Sequence, residues 1–244
     1  MPMKILQRII LMHLAVGMCM GQGTTFQEQA ERLQNINAFL LDFRPNAAPI
    51  PAERSHLEAI LDINPQPTIN TRIGRKDEPV DPPSVVPKLR GRYLFSNGLF
   101  LGAAFAPGIE FQDYTAEYIS AELGYRFQLN SWGLGLRASF TDGDLEGPIT
   151  ETDVEDMFTF TNYGGDLSLG HSLGPVYLYG FGGWNDVDTT LDIEEDGARL
   201  SFTDNTYYYG GGVSYSHGRW RLNLEQNVTD DYLQHLTLSL SFRF

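Results

Sequence analysis

Leu236-Thr237-Leu238-Ser239-Leu240-Ser241-Phe242-Arg243-Phe244 alternates apolar and polar side chains without a break. A period of two sends successive side chains to opposite faces of an extended strand, so this stretch is apolar on one face and polar on the other. It suits a wall with lipid on one side and ion pairing on the other.

The same period recurs back to Leu89. A first strand puts Leu99, Leu101, Ala103 and Phe105 outward, and its alternation continues back across Asn97-Gly98 through Phe95 and Tyr93. Outward sets follow at Ile119, Ala121, Leu123, Tyr125 and Phe127, then at Trp132, Leu134, Leu136, Ala138 and Phe140. A less regular fourth strand carries Tyr163, Gly165, Leu167 and Leu169. In the fifth, glycines favour Tyr177, Tyr179 and Phe181 as outward, while Val176 and Leu178 leave the opposite parity open. The sixth carries Tyr207, Tyr209, Val213 and Tyr215, the seventh Trp220, Leu222 and Leu224, and the eighth is the terminal run.

Connections at 129–131, 172–175 and 216–218 are short, whereas those at 141–157 and 186–204 are long. Short turns alternating with long loops are the pattern of a barrel in an outer membrane, and they predict eight strands. Asn97-Gly98 is also a hairpin signal, and a split there gives nine. Two further strands around Glu195-Asp196-Gly197 would give ten. The unbroken alternation over 89–105 favours a single strand, and 190–193 with 199–202 are expected to prolong strands five and six into a protruding hairpin.

The 244 residues include 25 Gly, 12 Tyr and 15 Phe, which suits closely spaced strands with interfacial rings. Lys4 and Arg8 precede an apolar run over 9–20, followed by Gly21 and Gly23, the layout of a secretory signal peptide over 1–23. The only cysteine, Cys19, lies within it; Met18 before it argues against a lipoprotein signal. No later stretch reaches the roughly 18 to 20 apolar residues of a membrane-spanning helix. A net charge of −14 argues against nucleic acid as a partner.

Residues 24–87 read as a helical and proline-rich lead-in. Thr25 and Glu28 have capping-box spacing, and Phe26, Ala30, Leu33, Ile36 and Leu40 recur at helical intervals. A second helix is expected over 52–61 behind Pro51, then an extended linker containing Pro67, Pro79, Pro82, Pro83 and Pro87. This lead-in is too bulky for an eight-strand lumen, which places it in the periplasm, where it could meet an envelope partner.

Strand pattern, signal peptide and aromatic terminus together resemble small outer-membrane barrels of the OmpA and OmpX type over 89–244. The resemblance implies an all-β, eight-stranded antiparallel transmembrane barrel over 88–244, in contact with outer-membrane lipid and lipopolysaccharide. It also implies that Phe242 and Phe244 are read by the barrel-assembly machinery. It brings no functional motif.

Strand parity places Glu122, Arg126, Arg137, Asp166, Arg221, Glu225 and Arg243 on the lumen face. An eight-strand barrel is just wide enough for side chains to fill, and an unpaired buried ion is costly, so these charges are expected to pair as a plug. A small gated pore is the alternative. Acids crowd both long loops, among them Asp142, Asp144, Glu146, Glu151, Asp153, Glu155 and Asp156, and Asp186, Asp188, Asp192, Glu194, Glu195 and Asp196. Asp142-Gly143-Asp144-Leu145-Glu146 is mildly like a calcium loop but lacks the twelve-residue signature, so solvated acids with no metal are expected. A lipid-modifying enzyme would need a nucleophile and an acid beside His235, the one histidine expected inward near the outer rim. No such trio stands at readable spacing, and neither catalysis nor a cofactor is expected. Trp132, Tyr125, Phe127, Tyr177, Trp220, Phe242 and Phe244 are expected to form an interfacial girdle.

Overall fold

The structure, a computed structural model, describes residues 26–41, 48–65, 85–111, 113–150, 154–194, 197–229 and 234–244. Among them are one helix, α1 (Phe26–Leu41), and ten strands. The strands are β1 (His56–Pro65), β2 (Val85–Leu94), β3 (Leu99–Phe111), β4 (Tyr114–Leu129), β5 (Trp132–Gly147), β6 (Asp156–Leu173), β7 (Val176–Ile193), β8 (Ala198–His217), β9 (Trp220–Thr229) and β10 (Gln234–Arg243). Each pairs antiparallel with its chain neighbour, and β10 closes on β1. Closure removes the sheet edges, the condition under which strands can sit in lipid.

Ten strands replace the expected eight for two reasons. First, the segment expected as a second helix belongs to β1, which fills the gap between β10 and β2, with Leu61 opposite both Leu240 and Leu89. Ala, Glu and Leu favour helix by at most about 0.7 kcal/mol per residue. Two unpaired edges in lipid would cost roughly 2–7 kcal/mol for each exposed polar group, so closure wins.

Second, Asn97-Gly98 is a hairpin turn after all. Phe95 N donates to Leu99 O at 2.8 Å, Asn97 Oδ1 accepts from Leu99 N at 3.1 Å, and Gly98 adopts φ +94°, which favours glycine. A three-residue loop joins partners four positions apart, an even number. The alternation therefore runs through the turn unbroken, and parity cannot distinguish this hairpin from one long strand.

Outward residues are apolar over a band that ends abruptly. On β5 it runs from Trp132 to Phe140 and gives way to Asp142, Asp144 and Glu146; on β7 it ends at Trp184 before Asp186 and Asp188. Phe140 and Tyr163 mark this border with rings 5.2 Å apart. About 9–11 residues cross a bilayer. Because β6, β7 and β8 have 18, 18 and 20 residues, they stand well beyond the band as a cap. The hairpin of β7 and β8 turns at 194–197, as expected for a protruding extension.

The β7 parity is the reverse of the favoured one. Tyr177, Tyr179 and Phe181 are buried and inward, and Leu178 is outward, so Tyr177 leaves the expected girdle. Glycines on the neighbouring strands leave room for these rings: a Cβ at Gly212, the β8 partner of Tyr179, would collide with the Tyr179 ring.

The lead-in does not stand apart from the barrel. Helix α1 packs on the inner faces of β6, β7 and β8, where Ala30, Leu33, Ala38 and Leu41 meet Phe158, Phe160, Val187, Leu191 and Ile193. Asn162 Nδ2 donates to Ala38 O at 3.0 Å, Thr189 Oγ1 to Gln34 Oε1 at 2.7 Å, and Asn35 Nδ2 to Asp204 Oδ2 at 2.8 Å. Residues 48–50 also lie inside, where Ala48 packs with Tyr177, Tyr179, Phe181 and Tyr208. Lumen width grows with strand number, so ten strands admit what eight would exclude. The barrel boundary accordingly moves from 88 to 56. The segment expected to be a signal peptide, 1–23, and the prolines of the expected linker, Pro67, Pro79, Pro82 and Pro83, lie outside the described residues.

Candidate functional site: the filled lumen

Glu122 on β4 is the hub of the lumen. Arg92 on β2 donates to it twice, Nε to Oε1 at 2.7 Å and Nη2 to Oε2 at 3.0 Å. Gly102 of β3 lies between the two in register, and a Cβ there would strike the Glu122 carboxylate, so its missing side chain opens the space that the pair fills. Arg137 Nη1 and Arg90 Nη1 stand 3.5 and 3.7 Å from Glu122 Oε2. Pairing continues both ways around the wall. Arg90 reaches Asp62 on β1 at 3.0 Å, and Arg137 reaches Asp166 on β6 at 2.7 Å, where the Tyr208 hydroxyl of β8 also donates at 3.0 Å. Charge-assisted forks of this kind are the strong hydrogen bonds, and inside a low-dielectric wall they fix side-chain position.

A second group lies across the lumen. Arg221 Nη1 is 3.3 Å from Glu58 Oε1, while Glu225 accepts from the Tyr179 hydroxyl at 2.8 Å and from Asn227 Nδ2 at 3.3 Å. Thr237 on β10 donates to Asn64 on β1 at 2.8 Å, stitching the closing strand pair. Arg126 stacks over Phe100 with its carbon 4.5 Å from the ring centroid, and its Nη1 donates to Ile50 O at 3.4 Å. The amino-terminal segment thus shares the polar fill of the barrel.

Six of the seven charges placed inward by parity are buried on the inner face, and Arg243 is half-buried. The structure joins Glu122, Arg137 and Asp166 in one network, sets Arg221 beside Glu58 and Glu225 beside Tyr179, and leaves Arg126 on Phe100. Sequence reasoning missed Glu58, Asp62, Lys88, Arg90 and Arg92. Continuing the alternation of Tyr93 and Phe95 back to 88 would have found the three cations. Glu58 and Asp62 were hidden because a spacing of four lies on one face of a helix and of a strand alike.

The acids of the cap divide by face. Asp142 and Asp188 point outward and accept from the Thr161 and Thr203 hydroxyls at 2.6 Å each, across strand pairs. Asp156 is buried and holds Thr150 by accepting from its backbone N at 2.7 Å and its Oγ1 at 2.6 Å. Glu151, Asp153, Glu195 and Asp196 lie outside the described residues. Among the described residues no group of three or more His, Cys, Asp or Glu is placed to hold a metal ion. His235 is buried on the inner face, in register with Asn227. Trp220, Phe242 and Phe244 cluster at the short-turn rim with successive ring centroids 4.7 and 4.9 Å apart.

A family model described as outer membrane protein beta-barrel domain matches residues 90–244. No curated protein matches the chain. Among solved structures it is similar to Ail, the attachment invasion locus protein of Yersinia pestis, at 14% identity over 79% of this chain and 100% of that one, with TM-score 0.39. Neisserial surface protein A matches at 11% identity over 78% and 97%, TM-score 0.34, and LpxR from Salmonella typhimurium at 15% over 79% and 85%, TM-score 0.39.

Proposed function

Because the chain belongs to the outer membrane protein beta-barrel domain family, we propose that it is a closed, non-catalytic outer-membrane barrel that carries a cap as its working surface. The observation that carries this is α1 seated against the inner face of the cap, with residues 48–50 and the ion pairs filling the lumen beneath it. In this reading the short-turn rim faces the periplasm, and the cap with its outward acids stands outside, next to lipopolysaccharide. Phe242 and Phe244 are presented to the assembly machinery at the inner rim. His235 has no part in chemistry, because a side chain 2% exposed inside a filled barrel offers a substrate no approach.

Two functions separate in a planar bilayer. The full chain is expected to give no steady single-channel steps, and a variant lacking residues 26–49 is expected to give them. Steady steps from the full chain would identify a pore and overturn the closed-barrel proposal.

A further inference from the structure

The ladder between β2 and β3 ends before either strand does. It runs only from Arg90 opposite Ala104 to Leu94 opposite Phe100, whereas β2 extends back to Val85 beside β1 and β3 extends on to Phe111 beside β4. The two strands therefore part on the cap side. Among the described residues neither 85–89 nor 105–111 has a strand along its second edge.

The sequence keeps this seam from zipping further. Pro87 stands on one lip and Pro107 on the other, and proline has no N–H to give to a ladder. The register of β3 on β4 shifts between Pro107 and Ile109, and Gly108 there takes φ +66°, so the strand bends at this point. Leu89 and Phe105, where the ladder stops, are 65% and 58% exposed. On β4 the outward residue changes from Ile119, opposite Phe105, to Glu117, opposite Pro107. The cleft thus opens where the apolar band meets the cap.

Below the cleft the closed part of the seam is thin. Side-chain pairs across a ladder are what stabilise a sheet, yet the middle outward pair is Gly91 and Ala103, and even a Cβ at Gly91 would meet nothing within 4 Å. In the lumen the seam is spanned by the Arg92–Glu122 fork, which passes over Gly102 of β3 and ties β2 to β4. In the barrel order the seam lies across from β7, the middle one of the three strands that seat α1, so the helix occupies the opposite wall.

We propose that this seam is a gate in the wall: β2 swings away from β3 about the Phe95–Leu99 turn, the Arg92–Glu122 fork is its latch, and the opening leads sideways from the lumen to the outer border of the lipid band. The turn is anchored as a hinge must be, with Gly98 O accepting from Arg126 N of β4 at 2.8 Å. The gate rests on the reading of the barrel as closed at rest, and it adds a route that leaves α1 in its seat.

Spin labels at Leu89→Cys and Phe105→Cys, in the Cys19→Ser chain in lipid nanodiscs, face each other across the cleft and read its width. Leu123→Cys and Ala138→Cys, outward partners on the fully paired β4 and β5, are the reference. Two separations are expected at 89–105, differing by about 5 Å, one strand spacing, against a single one at 123–138. Glu122→Gln is expected to move 89–105 to the longer separation and leave 123–138 unchanged. An 89–105 separation that Glu122→Gln does not change, or equal lengthening at both pairs, would overturn the gate. Hydrogen exchange of the unsubstituted chain needs no variant to fold: amides of 90–94 and 100–104 are expected to exchange about tenfold faster, or more, than those of 134–140, and equal protection would overturn the gate. Both measurements report on the wall, whereas failure of the closed-barrel reading is seen separately as steady single-channel steps.

Discussion

Glu122→Gln is expected to destabilise the folded barrel by roughly 3–5 kcal/mol, the cost of breaking a buried ion pair from one side. Glu122 holds Arg92 by a two-nitrogen fork and faces Arg90 and Arg137, so its neutralisation leaves three guanidinium groups around one amide. Arg90 retains Asp62 and Arg137 retains Asp166, which makes Arg92 the group that loses most. What remains to it is the Phe100 ring, 4.9 Å away, and the more distant charge of Glu58. Cation–π contact contributes about 0.5–2 kcal/mol and does not replace a carboxylate. Urea titration in lipid vesicles reads the change. Adding Arg92→Gln should recover part of the loss, since the stranded cation is then gone; a double variant costing the full sum of both singles would contradict the pairing.

Ala38→Glu is expected to expel α1 from the cap. Ala38 is fully enclosed, and its carbonyl oxygen accepts from Asn162. The helix is held by Leu33, Leu41 and two small alanines, with each leucine worth roughly 1.5–3 kcal/mol and each neutral hydrogen bond about 0.5–1.5 kcal/mol. A buried unpaired carboxylate costs several kcal/mol and has no cation among these neighbours, which matches what those contacts together leave once the entropy of ordering the segment is subtracted. Hydrogen exchange over 26–41 should accelerate by orders of magnitude while the strand amides stay protected, and conducting steps should appear. Arg32→Glu, on the exposed face of the same helix, should do neither.

Much of the wall was legible because lipid and lumen impose opposite demands on alternate residues. Leu236 to Phe244 showed it most plainly, and Glu122, Arg137, Asp166, Arg221 and Glu225 followed from the same parity. Where both faces of a strand are alike, parity loses its signal. Tyr177, Tyr179 and Phe181 alternate with Leu178 and glycines, and their inward direction was decided by space left on β8 at Gly212. β1 was illegible for a different reason: closure by pairing with β10 and β2 is a long-range gain that local propensity does not record. Missing it made the lumen too narrow, and that error in turn excluded α1 from the interior.

The placement of α1 inside the barrel carries the whole account of a closed lumen. A nitroxide attached at position 32, on the exposed side of α1, tests it by paramagnetic broadening of amide signals in the micelle-bound full chain. Broadening is expected for inner-face residues of the cap, such as 158–162, 187–191 and 204–206, with the short-turn residues 130–131 and 174–175 left sharp. Sharp signals throughout the cap, with the label affecting only its own segment, would contradict the placement and with it the closed barrel.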